Sequence, residues 1–301
     1  MPEMPEVQGL VEFLRGRIRG RVVQRAQAAS IAAVKTYEPP LTALTGATVT
    51  DAVRHGKFID LAMAPGAGDA GARDAGAGKA LHLVMHLAKA GWLRWYEQLP
   101  ARTPALGRGP MALRVGFDDG SGFDLTEAGT AKSLAVYVVR DPGAVPGVAR
   151  LGPDPLAGDF DRAAFAALLA GRRTQIKGVL RDQSVIAGVG NAYSDEILHA
   201  ARMSPYALAS SLTPPEVDGL YAALRDTLAE AVATASGRPP ADLKDAKRRG
   251  MRVHGRQGEA CPVCGDAVRS VYFADNSLEY CPTCQTGGRT LADRRRSRLL
   301  K

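Results

Sequence analysis

Apolar residues recur at helical spacing from the start of the chain. Val7, Leu10, Val11, Leu14 and Ile18 fall on one face of the segment 4–19, with Arg15, Arg17 and Arg19 elsewhere around it. This pattern predicts an amphipathic helix. From about 21 to 140 the apolar runs shorten to strand length, at 21–26, 48–53, 58–63, 81–87, 92–96, 112–117, 122–125 and 134–139. Short strands separated by Gly and Pro turns predict an antiparallel sandwich or barrel. The Gly/Ala-rich stretch 65–79 interrupts them and reads as a mobile loop. Beyond Leu151-Gly152-Pro153 the period returns to helical, over 159–170, 174–186, 191–203 and 214–236. Thr213-Pro214-Pro215-Glu216 is a start signal for the last of these, with a Thr cap, Pro in the first turn and Glu at the third helical position. Residues 237–259 read as basic and irregular, around the run 244–249. The tail from Arg289 carries Arg294, Arg295, Arg296, Arg298 and Lys301 and is expected to be flexible. No internal repeat emerges.

The 301 residues suggest about two domains plus a small module. With 46% hydrophobic and 23% charged residues the chain is an ordinary globular protein, neither disordered throughout nor fibrous. It lacks the roughly 18-residue apolar run of a membrane span. The first residues lack the basic and apolar regions of a signal peptide, so a cytoplasmic protein without a membrane partner is expected. Lys plus Arg is 39 and Asp plus Glu is 31, a net charge of +8, which is compatible with a nucleic-acid partner.

The cysteines are the sharpest signal. Cys261 and Cys264 form one C-x2-C pair, Cys281 and Cys284 a second, with sixteen residues between the pairs. Such pairs place two thiolates each around a tetrahedral zinc ion, and the residues between can close a hairpin. Two disulfides or four free thiols are the competing arrangements, and a reducing cytosol disfavours the first. Four thiolates leave no position for water. One Zn2+ per chain is therefore expected in a structural role, holding a module too small to fold alone.

Four segments, in order, carry a resemblance: Pro2-Glu3-Met4-Pro5-Glu6-Val7, His55-Gly56-Lys57-Phe58, Thr174–Lys177 with Asp182–Tyr193, and Val253–Glu259 leading into the first cysteine pair. Together they resemble the formamidopyrimidine-DNA glycosylase and endonuclease VIII family of base-excision repair enzymes, over residues 2 to about 285. The resemblance implies an α+β fold with an N-terminal helix and antiparallel β-sandwich, a helix–two-turn–helix domain, and a C-terminal four-cysteine zinc hairpin. The expected boundaries are 1–148 for the catalytic sandwich, 149–250 for the helix–two-turn–helix domain, 251–287 for the zinc finger and 288–301 for the basic tail. The implied partner is damaged DNA, bound by a monomer in a basic cleft between two lobes.

The implied activity is that of a bifunctional glycosylase and abasic-site lyase. Removal of Met1 is expected to expose the secondary amine of Pro2. An α-amino group has a pKa of about 8, well below that of lysine, and the following helix start lowers it further. Such an amine can attack C1′ of deoxyribose and form an iminium, after which elimination breaks the strand. The resemblance makes Glu3 the acid that protonates the sugar ring oxygen and shuttles protons, and Glu6 a supporting acid. It gives Lys57, within a strand-like segment, the phosphate beside the lesion. It gives Lys177 and Asn191 the phosphates around the extruded nucleotide, with Gly188 and Gly190 permitting close backbone approach.

Three positions depart from the family pattern. Asn276 stands where the zinc hairpin usually carries a phosphate-clamping arginine, losing the charge and the bidentate fork, and Asp275 beside it adds repulsion. Lys89, in His86-Leu87-Ala88-Lys89-Ala90-Gly91, stands where the segment HLGMSG supplies an inserted methionine. Thr126–Ser133 lacks the arginine and phenylalanine of the loop DPRRF. Base extrusion is least costly at unpaired or damaged positions. The expected substrate range therefore shifts towards abasic, single-stranded or helix-distorting lesions rather than 8-oxoguanine. A damaged-DNA-binding protein with little or no catalysis is the alternative. An RNA-binding protein is a third reading, disfavoured by PEMPEV.

Overall fold

The computed structural model describes residues 1–66, 80–102, 105–107, 109–129, 131–273 and 276–292. Beyond Gly66, the loop expected at 65–79 lies outside the described residues, as do Asp275 and the tail arginines from Arg294. The chain divides into two compact units. One comprises Met1–Arg150 with Ala235–Lys244, the other Leu151–Thr234 with Asp245 onward.

The first unit opens with α1 (Met4–Ile18), followed by β1 (Val23–Ala28), β2 (Thr48–His55), β3 (Phe58–Ala64), β4 (Leu81–His86), β5 (Gly91–Tyr96), β6 (Met111–Phe117), β7 (Gly122–Glu127), β8 (Ala135–Val139) and the single turn α2 (Pro146–Ala149). The strands form two four-stranded sheets, ordered β1-β6-β7-β5 and β2-β3-β4-β8. All pairings are antiparallel. Alternation along each strand sends one set of side chains inward. Ile59, Leu61 and Met63 of β3 thus join Leu113 and Val115 of β6 and the apolar stripe of α1 in one core. Each of Val7, Leu10, Leu14 and Ile18 is fully buried there, a burial that stabilises by about 1.5–3 kcal/mol per side chain. This is the expected sandwich.

The second unit holds α3 (Arg162–Leu169), α4 (Ile176–Arg181), α5 (Asn191–Ala200) and α6 (Pro214–Ala235). It also holds the zinc module, made of β9 (Arg269–Tyr272), β10 (Ser277–Tyr280) and α8 (Pro282–Thr286). Between α6 and β9 lies α7 (Pro240–Gly250), where the sequence reads as irregular. The basic run conceals a helix with conventional signals. Pro240 opens it, Asp242 lies in its first turn, and Lys247, Arg248 and Arg249 lie in its last, where cations suit the helix dipole. Leu243 and Ala246, three apart, are its buried anchors. Leu243 and Ala235 enter the sandwich core, and Pro240 O accepts from Trp92 Nε1 at 3.0 Å. No helix among the described residues is long and apolar enough to cross a membrane.

Candidate functional site

In the first unit the chain start is locked. Pro2 is buried, and Glu3 and Glu6 are each 2% exposed. Glu3 caps α1, and with Glu6 it forms a capping box. In it the Glu6 carboxylate accepts the Glu3 backbone N–H at 2.8 Å. The residue expected to carry the amine therefore sits one position before a rigid helix terminus.

Lys57 occupies a two-residue turn between β2 and β3, not the strand that the sequence suggests. His55 pairs with Phe58 across it, and Gly56 at φ 54° takes the first position, as a type II′ turn requires. The helix and hairpin share a register. Arg54 Nε donates to Gln8 Oε1 at 2.9 Å and Arg15 Nε to Asp51 Oδ1 at 2.7 Å. Seven helical residues thus run beside three strand residues, about 10 Å in each case.

Two groups around this turn escaped the sequence reading. His86 packs its ring on Phe58, with centroids 4.6 Å apart. Burial, and then the charge of Lys57, push its imidazole down to about 4, so it is neutral. Asp60, on the same strand as Phe58, is buried and takes His55 Nε2 at 3.1 Å and His82 Nδ1 at 2.9 Å. It ties β2 and β4 to the strand that follows the lysine turn.

Lys89 is exposed on the turn from β4 to β5. That turn is tight: Ala88 has φ 52° and Gly91 N–H donates to Leu87 O at 2.8 Å. A Cβ on Gly91 would lie 2.1 Å from Leu87 O, so only glycine fits. Glu127 ties down the residues 132–134. The buried Glu127 carboxylate accepts from Ser133 N–H at 2.9 Å and Leu134 N–H at 3.1 Å, and its backbone oxygen accepts from Lys132 Nζ.

In the second unit Lys177 and Asn191 meet. Lys177 is 5% exposed. Its amine pairs with Asp195 and donates to Ser194 Oγ at 2.9 Å and Asn191 O at 3.2 Å. Asn191 opens α5 behind Gly190 and donates Nδ2 to Ser277 O at 2.7 Å. Gly188, at φ 89°, donates its N–H to Gln183 Oε1 at 2.9 Å, fixing the turn before α5. Asn276 closes the hairpin tip with its backbone oxygen, which accepts from Phe273 N–H at 2.8 Å.

The pair Lys177–Asp195 continues into an ion chain that the sequence did not reveal. Asp195 Oδ2 lies 2.8 Å from His254 Nδ1, which lies 2.8 Å from Glu279 Oε2. Burial alone would lower the His254 pKa, but its hydrogen bonds to Asp195 and Glu279 raise it to about 9. The four formal charges sum to zero and link α4, α5, the segment after α7 and β10.

The metal centre closes the unit. All four cysteine sulfurs lie within 4.8 Å of one another, with Cys261–Cys284 at 3.9 Å and Cys264–Cys281 at 3.3 Å. A tetrahedron with bonds of about 2.3 Å has edges of about 3.8 Å, so zinc fits this cluster. Cys281 also caps α8, and its sulfur accepts the Cys284 N–H at 3.5 Å. His199, buried on α5, brings Nε2 to 3.3 Å from Cys261 Sγ. Burial, then Arg252 and Arg202, push its imidazole pKa down.

Comparison with known proteins supplies the context. Residues 1–129 match the formamidopyrimidine-DNA glycosylase N-terminal domain, 151–239 its H2TH domain, and 258–287 the zinc finger found in FPG and IleRS. A formamidopyrimidine-DNA glycosylase of Symbiobacterium thermophilum is 33% identical over 295 residues, covering 95% of this chain and 89% of the relative. The chain belongs to the formamidopyrimidine-DNA glycosylase family. That family comprises DNA glycosylases of base-excision repair, DNA-binding proteins whose zinc finger accounts for the four-cysteine cluster, so the zinc ion is structural. An uncharacterized formamidopyrimidine-DNA glycosylase-like protein of Mycobacterium tuberculosis is 56% identical over 151 residues, half of this chain and 94% of its own. The family fold recurs in a solved structure of MutM in complex with DNA containing carbocyclic 8-oxo-G. That structure has a TM-score of 0.79 and 25% identity, covering 95% of this chain and all of that one.

Proposed function

We propose that this family member is a bifunctional DNA glycosylase and abasic-site lyase, acting as a monomer in the cytoplasm. The nucleophile is the Pro2 amine, freed by loss of Met1. Its nitrogen bonds to C1′ as the bond from C1′ to the base, or to the hydroxyl at an abasic site, breaks, and the departing group takes up the proton that the amine gives up. Glu3 protonates the ring oxygen, the ring opens, and the amine yields its proton to give an iminium. The iminium acidifies C2′; a proton leaves there and the C3′–O bond breaks, releasing the phosphate. Lys57 binds the phosphate beside the lesion. Lys177, Asn191 and Asn276 hold the backbone on the second unit, the first two exchanging their present partners for phosphate oxygens. Lys89 contacts DNA from its exposed turn.

The observation that carries this reading is the capping box: the carboxylate of Glu6 fixes Glu3, and with it the residue that bears the amine. The substrate range we propose is abasic, single-stranded or helix-distorting DNA, because Lys89 and the residues 126–133, none of them large and apolar, offer no bulky apolar wedge. The same feature, with Asn276 in place of arginine, favours a second reading, a damaged-DNA-binding protein with little catalysis. Borohydride reduction on duplex DNA with one abasic site, with the adduct mapped by mass spectrometry, separates the two. An adduct on Pro2 supports the lyase. Its absence, from protein that has lost Met1 and binds this DNA, favours the binding protein.

A further inference from the structure

Three side chains of α5 reach the zinc module, and they lie four residues apart. Asn191 donates to Ser277 O at 2.7 Å, Asp195 meets His254 at 2.8 Å, and His199 Nε2 lies 3.3 Å from Cys261 Sγ. The spacing i, i+4, i+8 puts all three on one stripe of the helix. Of these three, only His199 touches a cysteine of the metal cluster.

His199 is 2% exposed, and its other ring nitrogen, Nδ1, is buried with no hydrogen-bond partner. A zinc-bound cysteine is a thiolate, which only accepts, so the Nε2 that faces it carries a hydrogen. A buried nitrogen without a partner is costly, and an apolar ring of similar size would avoid that cost. The imidazole gains one compensating contact, the charge-assisted bond to sulfur. Groups beyond the ligands themselves orient metal ligands and tune the metal.

We propose that His199 is a positioning residue of the metal centre: its Nε2–H donates to the Cys261 thiolate, so the zinc ion and α5 hold each other in place. The metal end of the stripe is thereby joined to Asn191, at the start of the same helix. This coupling does not depend on whether the enzyme is a lyase.

The test uses the full chain with two substitutions, His199→Phe and His199→Gln. Zinc transfer to excess chromophoric chelator should be about 10- to 100-fold faster in His199→Phe, and close to the parent rate in His199→Gln, whose amide restores a donor. With Co2+ in place of zinc, losing the donor makes the thiolate more electron-rich. The thiolate-to-cobalt absorption should then move to longer wavelength in His199→Phe and return in His199→Gln. Parent-like zinc release and an unmoved band in a folded His199→Phe protein would overturn the proposal. Should that variant fail to fold, the imidazole nitrogen NMR spectrum of the zinc-loaded parent decides. A proton on Nε2 supports the bond to sulfur, and a proton on Nδ1 overturns it.

Discussion

The carboxylate of Glu6 accepts the backbone N–H of Glu3 at 2.8 Å, so the acid and the chain start one residue before it are held by a side chain three positions on. Loss of such a cap costs about 1 kcal/mol. Misplacing a reacting group by about 1 Å costs on the order of 10²-fold in rate. Glu6→Ala should therefore lower Tm by only about 2–4 °C while slowing borohydride-trappable adduct formation on the order of 10²-fold. Parallel melting curves and trapping time courses measure both. Equal trapping rates would remove the positioning role of Glu6.

Zinc removal should act on the second unit alone. Chelation, or Cys281→Ser, releases β9, β10 and α8 from their common anchor, and with them the Ser277 oxygen that receives Asn191. DNA affinity, read by fluorescence anisotropy, should fall at least about tenfold, or about 1.4 kcal/mol. Circular dichroism should retain the strand signal of the sandwich. Full DNA affinity after complete metal removal would contradict this.

His254 makes stability depend on pH. Its folded pKa is raised to about 9 against an ordinary 6.5. Its contribution is therefore fully present below about pH 6.5 and is lost as pH rises through about 9. Tm should decline across that interval in the parent by more than in His254→Phe, a difference worth at most about 3 kcal/mol. Matched melting curves at pH 6.5 and 9.5 test the sign; a parent that gains stability over this range would refute it.

Substrate preference can be read in one assay. Extruding a paired base costs a few kcal/mol, and each 1.36 kcal/mol left uncompensated by a wedge is tenfold in rate. Cleavage at an abasic site should exceed release of 8-oxoguanine from intact duplex by at least about tenfold. Comparable rates would place the missing wedge function elsewhere in the chain.

How far the chain could be read in advance depended on the range of each contact. Strand positions followed from alternation, which is local, and the eight expected runs all became strands within a few residues. The zinc site was legible because each cysteine pair is local and chemically unambiguous. The α7 helix was not, because its pattern is mostly charge, with only Pro240, Leu243 and Ala246 buried. The turn carrying Lys57 was blurred by strand-like residues on both sides. His254 lies in a segment that carries the resemblance, but its pairing with Asp195 and Glu279 gave no signal, since the contact between Asp195 and His254 spans 59 positions of the chain. The spacing 191, 195, 199 was visible in the letters, but what it faced was not.

That spacing carries a consequence for how the family can vary here. A substitution at one point of the stripe alters one bond and leaves its neighbours aligned. An inserted or deleted residue between Asn191 and His199 would turn everything past it by about 100° around the helix axis, swinging the histidine away from its sulfur. A changed side chain here should therefore cost one contact, whereas a changed length should cost the contacts of Asp195 and His199 together.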